Sequence, residues 1–339
     1  MNHTKRRALS AWVATAAAAS ALGATALTAQ AAPAPVSTGQ VARPATADPG
    51  FAARERAASA DVTSTRASRD ALAKIQARVA RYVATNGTRY SFATYADAKG
   101  TVIMESDAPA KVRASLTDLG SDATVTSVRV KTTEVEAITS SVAASRAAPP
   151  PLYGGAGLTG GGRVCTSAYP VKTAAGTRFM VIGRSCFAPG TAVYSGASGF
   201  VGTVTGVSTN PSAALLQGGS YAGRVRSATG SRPIVAAGSA SVGYNNYCHT
   251  GRTTGERCGH TATSVNAQLC TASGCVAPVI RFTGGVLPQA GDSGSPFFAK
   301  DRAGGAWIRG HVIGGNSTAS YAETYNRVAA RYGVTVVTG

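Results

Sequence analysis

Leu72, Ile75, Val79 and Val83 recur at the three- and four-residue spacing of a helix face, which predicts a helix from Asp70 to about Ala84, stopped by Asn86-Gly87. The period then changes. Tyr90-Ser91-Phe92 and Thr101-Val102-Ile103-Met104 read as paired strands around the turn Asp97-Ala98-Lys99-Gly100. Asp107 and Pro109 open a second helix with Val112, Leu116 and Leu119 on one face, and Val125 to Val130 supplies a last strand. These elements make a small α-β-β-α-β unit over 70–139. From Leu152 onward short β-branched runs alternate with Gly, Ser, Thr and Asn turns: Phe179-Met180-Val181-Ile182, Gly202-Thr203-Val204, Val242-Gly243-Tyr244 and Val279-Ile280-Arg281-Phe282. A helical period returns only at Tyr321 to Val328. Such a pattern predicts an all-β barrel or sandwich over 152–339.

The remaining segments read as connectors and a leader. Lys5-Arg6-Arg7 precede an alanine-rich stretch to Ala29, and Ala29-Gln30-Ala31 offers a small-x-small cleavage site. Residues 1–31 are therefore expected to be a signal peptide, and the protein to be secreted and extracellular. A Pro/Ala/Thr-rich run makes 32–69 an expected flexible linker, and 140–151, closing on Pro149-Pro150-Pro151, a second one. No other run approaches the roughly 18 apolar residues of a membrane span.

Composition narrows the chemistry. All six cysteines (Cys165, Cys186, Cys248, Cys258, Cys270, Cys275) fall after Leu152, and an even count in a secreted chain points to disulfides. No Cys-x-x-Cys pair occurs, so no metal site is expected, and no cofactor motif is present. Net charge is +18, and from Leu152 to Gly339 there are 15 Lys and Arg against Glu256, Asp292, Asp301 and Glu323. A basic surface can attract an anionic cell-wall polymer. Without a basic cluster or stacking-aromatic motif, nucleic acid is not expected as a partner. Nothing marks an oligomeric state.

Gly291-Asp292-Ser293-Gly294-Ser295-Pro296 is the sharpest motif. Glycines around a serine allow a tight turn that points backbone N–H groups at a developing oxyanion, which assigns Gly291, Asp292 and Ser293 to such a hole. With Asp before the serine and Pro following, the string resembles the nucleophile loop of chymotrypsin-type serine proteases. Tyr153-Gly154-Gly155 through Val164-Cys165-Thr166, Phe179 through Cys186, the Cys248 to Gly259 hairpin and Gly310-His311-Val312-Ile313-Gly314-Gly315-Asn316 resemble, in order, further stretches of the secreted streptogrisin and alpha-lytic branch. The resemblance implies a double six-stranded β-barrel with the site between the barrels. It also implies disulfides Cys165–Cys186 and Cys248–Cys258, leaving Cys270 with Cys275. Such relatives carry an α/β pro-region that assists folding and is removed autocatalytically, which is the role implied for 70–139. The specificity pocket would be drawn from Leu287, Ala290, Ile313, Gly314 and Gly315.

The pattern breaks where proton transfer is needed. The resemblance puts the base immediately before Cys186, where Ser185 stands, and the orienting aspartate at Ser212 in Ser212-Ala213-Ala214-Leu215-Leu216. A serine hydroxyl is no base near neutral pH. No Asp or Glu occurs between Leu152 and Arg252, and Ile313 replaces the serine usual in the pocket strand. His249 and His260 fall on the second barrel; His311 is nearest in topology, but strand alternation turns it from Ser293. Lys172 or Lys300 could in principle form a serine–lysine dyad. The expectation is a pseudoprotease that binds a peptide or protein in the inter-barrel cleft. Two alternatives stand beside it: a serine hydrolase using catalytic Ser293 with a non-standard base, and a basic cell-wall or surface interaction module.

Overall fold

The computed structural model describes residues 47–57, 66–119, 128–131, 150–196 and 199–339; the expected signal peptide and residues 132–149 lie outside the described residues. Inside the stretch expected to be linker, Phe51–Ala57 is helical (α1). A seven-residue helix has almost no stability alone, so tertiary contacts must hold it. Phe51 packs on Tyr244 and Trp307, and the buried Glu55 carboxylate accepts from Arg309 Nε at 3.0 Å and from the Tyr247 hydroxyl.

The helix expected from Asp70 begins at Arg66 and runs to Asn86 (α2), burying Leu72, Ile75, Val79 and Val83 as the spacing requires. It covers the antiparallel pair β1 (Phe92–Ala96) and β2 (Val102–Ser106). After α3 (Ala110–Thr117), β3 (Val128–Lys131) lies parallel to β2.

After β4 (Leu152–Gly154), six strands close a first barrel. They are β5 (Gly157–Gly160), β6 (Arg163–Thr173), β7 (Arg178–Gly183), β8 (Ala192–Ser195), β9 (Gly199–Ser208) and β10 (Ala213–Gln217), with β6 pairing to both β5 and β7. The strands β11 (Tyr221–Ser227) and β12 (Gly230–Ala237) cross to a second barrel. It is closed by β13 (Tyr247–Gly251), β14 (Gly255–Thr271), β15 (Gly274–Thr283), β16 (Pro296–Lys300), β17 (Ala306–Gly315) and β18 (Ser320–Thr324). The chain ends in α4 (Tyr325–Tyr332) and β19 (Val334–Val336), which returns to β6. This is the chymotrypsin-like double β-barrel.

Strand alternation explains why two barrels share one seam. On β7, Met180 and Ile182 fill the first barrel while Val181 points to the layer between the barrels; on β10, Ala214 and Leu216 point inward, Ala213 and Leu215 outward. On β16, Phe297 fills the second barrel and Phe298 the shared layer. Each of the larger of these side chains contributes about 1.5–3 kcal/mol of burial, and a one-residue slip would misplace both sets at once.

Two sequence expectations give way. Val242-Gly243-Tyr244 is a loop, because Gly243 takes the left-handed region at φ 88 and leaves no strand geometry there. The helical period from Tyr321 to Val328 begins only at Tyr325. Ser320–Thr324 is flanked by β15 and β17, and ladder pairing on both sides outweighs local periodicity. The three disulfides join Cys165 to Cys186, Cys248 to Cys258 and Cys270 to Cys275, as the resemblance implies. The last lies at the tip of the β14–β15 hairpin, whose edge pairs with β1, Phe92 opposite Cys270.

Candidate active site

The loop 291–295 is built before any chemistry is asked of it. Gly294 adopts φ 89, and a Cβ there would lie 2.2 Å from the Thr166 carbonyl, so only glycine lets the loop touch the first barrel. Thr166 N–H donates to the Ser293 carbonyl at 2.9 Å, Gly294 N–H to Val312 at 2.8 Å and Ser295 N–H to Asp292 at 2.9 Å. The loop is thus pinned to β6 and β17 together. Of the three residues assigned to an oxyanion hole, Asp292 is corrected by the structure, because its N–H already donates to the Gln289 carbonyl at 2.9 Å. The backbone bonds of the loop use the amides of Asp292, Gly294 and Ser295 and not those of Gly291 and Ser293.

Asp292 is buried, and its carboxylate accepts from the Thr253 amide at 2.8 Å, the Gln289 amide at 3.0 Å and the Thr254 hydroxyl at 2.8 Å. A Cβ at Gly251 would come within 2.1 Å of this carboxylate, which explains glycine there. Asp292 therefore anchors the loop to the β13–β14 hairpin.

Ser293 is fully buried, and its Oγ has no hydrogen-bond partner among the described residues. A Cβ at Gly183 would stand 3.3 Å from that oxygen, so the end of β7 covers it. Ser185 lies two residues on, past Arg184, whose Nη1 donates to the Ser273 carbonyl at 3.0 Å. Ser185 and Ser212 do share one space, together with Ile313, Leu269, Thr271 and Val276. That space holds only about 10 Å³, less than a side chain needs.

The sequence reading missed what stands behind Ser212. Glu323, on β18, accepts from the Ser212 amide at 2.7 Å and the Thr324 amide at 2.9 Å, and takes Arg327 Nη1 at 2.9 and 3.2 Å. His311 Nε2–H donates to the Ser212 carbonyl at 3.0 Å. A carboxylate and an imidazole thus reach the aspartate position through the backbone, from the other barrel. Burial pushes the Glu323 carboxyl up, with Arg327 opposing. The signal was present: Glu323 is one of four carboxylates after Leu152, set in an apolar strand.

His311 is committed to that carbonyl, and its Nδ1 is buried without a partner. His249 and His260 stack on each other, and their outer ring nitrogens are engaged by the Thr254 hydroxyl and the Gly284 carbonyl. Lys300 pairs with Glu256 at 3.7 Å, and Lys172 is exposed on β6 opposite Thr335. No described residue stands as a base to Ser293.

Of the residues assigned to the specificity pocket, Leu287 and Ile313 line different spaces. Leu287 lines a cavity of about 380 Å³ with Gly284, Val286, Pro288, Gln289 and Asn316. Ile313 lines the small space at Ser212, Ala290 is exposed, and Gly314 and Gly315 are buried opposite Tyr321 and Ser320.

Burial holds His311 down to about 4. The ring is near 6.5 when unfolded, so the stability gained by keeping it neutral is fully present above that pH and is lost as pH falls toward 4. The loss over this window is about 3 kcal/mol. Urea midpoints from pH 7 to 4 should fall accordingly in the wild type and flatten in His311→Leu; an unchanged slope in the variant would contradict the assignment.

No protein-family model matches the sequence, and no curated protein matches it. Among solved structures, Thermobifida fusca protease A shares 24% identity over 55% of this chain and 98% of its own, with a TM-score of 0.47. A glutamic acid-specific serine protease, described as using a histidine triad in substrate binding, shares 29% over 55% and 100%, with a TM-score of 0.47. Cellulomonas bogoriensis chymotrypsin shares 25% over 55% and 98%, with a TM-score of 0.45. The two closed barrels and the Gly-Asp-Ser-Gly loop pinned between them define the fold of the chymotrypsin-like serine proteases.

Proposed function

We propose that this chain is a secreted, catalytically impaired homologue of the serine proteases that binds a peptide segment rather than cutting it. One observation carries the reading: Ser293 Oγ is buried with no hydrogen-bond partner, and the positions that should supply its base and the orienting acid are Ser185 and Ser212. Without a base the hydroxyl is a poor nucleophile, and removal of a triad member in a well-studied serine protease costs about a million-fold in rate. The space at the triad positions is too small for a peptide side chain, which moves the candidate binding surface to the cavity at Leu287, Pro288, Gln289 and Asn316. Its mixed apolar and amide lining suits an uncharged side chain. The charge reading weakens beside this, because Arg232, Arg281, Arg309 and Arg327 are paired with carboxylates.

A phosphonate probe for active serines tests the proposal. Wild type and Ser293→Ala should label equally poorly, and purified precursor should keep its 140–151 junction intact on standing. Labelling that disappears in Ser293→Ala, or spontaneous cleavage in isolation, would instead establish an active hydrolase.

A further inference from the structure

Four polar contacts run in series through the second barrel. Asp292 Oδ2 lies 2.8 Å from Thr254 Oγ1, and that oxygen lies 2.8 Å from His249 Nε2. His249 Nδ1 lies 2.9 Å from His260 Nε2, and His260 Nδ1 lies 2.7 Å from the Gly284 carbonyl. Both imidazoles are fully buried. Gly285 permits the last approach, since a Cβ there would meet the His260 ring at 3.2 Å and the Cys258 carbonyl at 2.7 Å.

Each contact needs one hydrogen. The ends are a carboxylate and a carbonyl, which only accept; the Thr254 hydroxyl brings one hydrogen and each neutral imidazole one. Three hydrogens therefore serve four contacts. However the rings and hydroxyl are set, one contact is left with two lone pairs facing each other at hydrogen-bond distance. An unsatisfied buried contact of this kind is costly. A single added proton gives each contact its hydrogen. We infer that His249 and His260 form one proton-binding site, which takes up one proton between them and thereby ties the Asp292 loop to the second barrel through Thr254.

The surroundings favour the imidazole pair over Asp292 as the home of that proton. The carboxylate already accepts from the Thr253 and Gln289 amides, which favour its charged form, and Arg252 lies on the Asp292 side with attractive sign. A second backbone carbonyl, that of Arg257, also favours the charged form of His260. Phe282 from β15 and Phe297 from β16 face the pair and carry no charge. Glu256, next on β14, is engaged with Arg232 and Lys300. Burial pushes both rings down, and the Arg257 guanidinium also pushes His249 down, so uptake falls on the acid side of the ordinary histidine range. A second proton is refused, because two cations with ring centroids 5.0 Å apart would face N–H to N–H.

Imidazole nitrogen NMR on the full secreted chain tests this, with pH lowered from 8 to the edge of acid unfolding. The expected result is one step that moves both His249 and His260 signals and totals one proton, together with a shift of the Thr253 and Gln289 amides. In Thr254→Val the step should move down by about one pH unit, a tenfold weaker proton site, and the two amides should stop responding. In His260→Phe the shared step should vanish. Two independent protons, no uptake before unfolding, or an unchanged midpoint in Thr254→Val would each overturn the inference.

Discussion

Glu323→Ala is expected to lose about 3 kcal/mol of folding stability, the scale set by removing one partner from a buried ion pair. The carboxylate is fully buried and serves three groups: the Ser212 amide, the Thr324 amide and the Arg327 guanidinium. Truncation leaves the Ser212 amide without an acceptor in the seam between the barrels and removes the partner of Arg327. Burial already pushes this carboxyl up, so its ionised form persists on those donors alone. Glu323→Gln keeps one acceptor oxygen and should cost only about 1 kcal/mol. Urea unfolding at pH 7 checks the order. Equal losses in the two variants would mean that side-chain volume rather than the acceptors holds the seam.

The second large effect concerns restoration of catalysis. Ser185→His with Ser212→Asp supplies both missing groups on paper, yet hydrolysis is expected to stay near the wild-type level. An aspartate at 212 would add a carboxylate to a residue whose own amide lies 2.7 Å from Glu323 Oε2, in a space of about 10 Å³. Two carboxylates in one buried site do not both ionise, and a protonated acid cannot orient an imidazolium. Adding Glu323→Gln removes the competing charge. The triple variant should then exceed the double by on the order of 10²-fold, the lower end of what general acid–base catalysis contributes. Initial rates on a panel of chromogenic peptides measure it, with Ser293→Ala on the triple background as the control. Activity in the double variant equal to that of the triple would show that Glu323 does not obstruct the acid position.

The first helix of the upstream unit was legible because Leu72, Ile75, Val79 and Val83 state its buried face directly. Its start was not, since nothing local separates Arg66 from Asp70. The helix Phe51–Ala57 was illegible for a stronger reason: an isolated seven-residue segment has no preference to read, and it exists because Arg309 and Tyr247 receive Glu55. Ser320–Thr324 shows the same rule reversed, a helical period cancelled by strands on either side.

For the site, sequence alone determined which groups are missing. Identity is a local property, so Ser185, Ser212 and the lack of any carboxylate from Leu152 to Arg252 needed no coordinates. Only the tertiary structure decided what occupies the vacated chemistry. Glu323 and His311 come to Ser212 from strands about a hundred residues later, brought there by closure of the second barrel against the first. The hydrogen count along Asp292, Thr254, His249 and His260 likewise depends on distances between two hairpins and a loop. Sequence sets what each residue can donate or accept; barrel closure sets which of them meet.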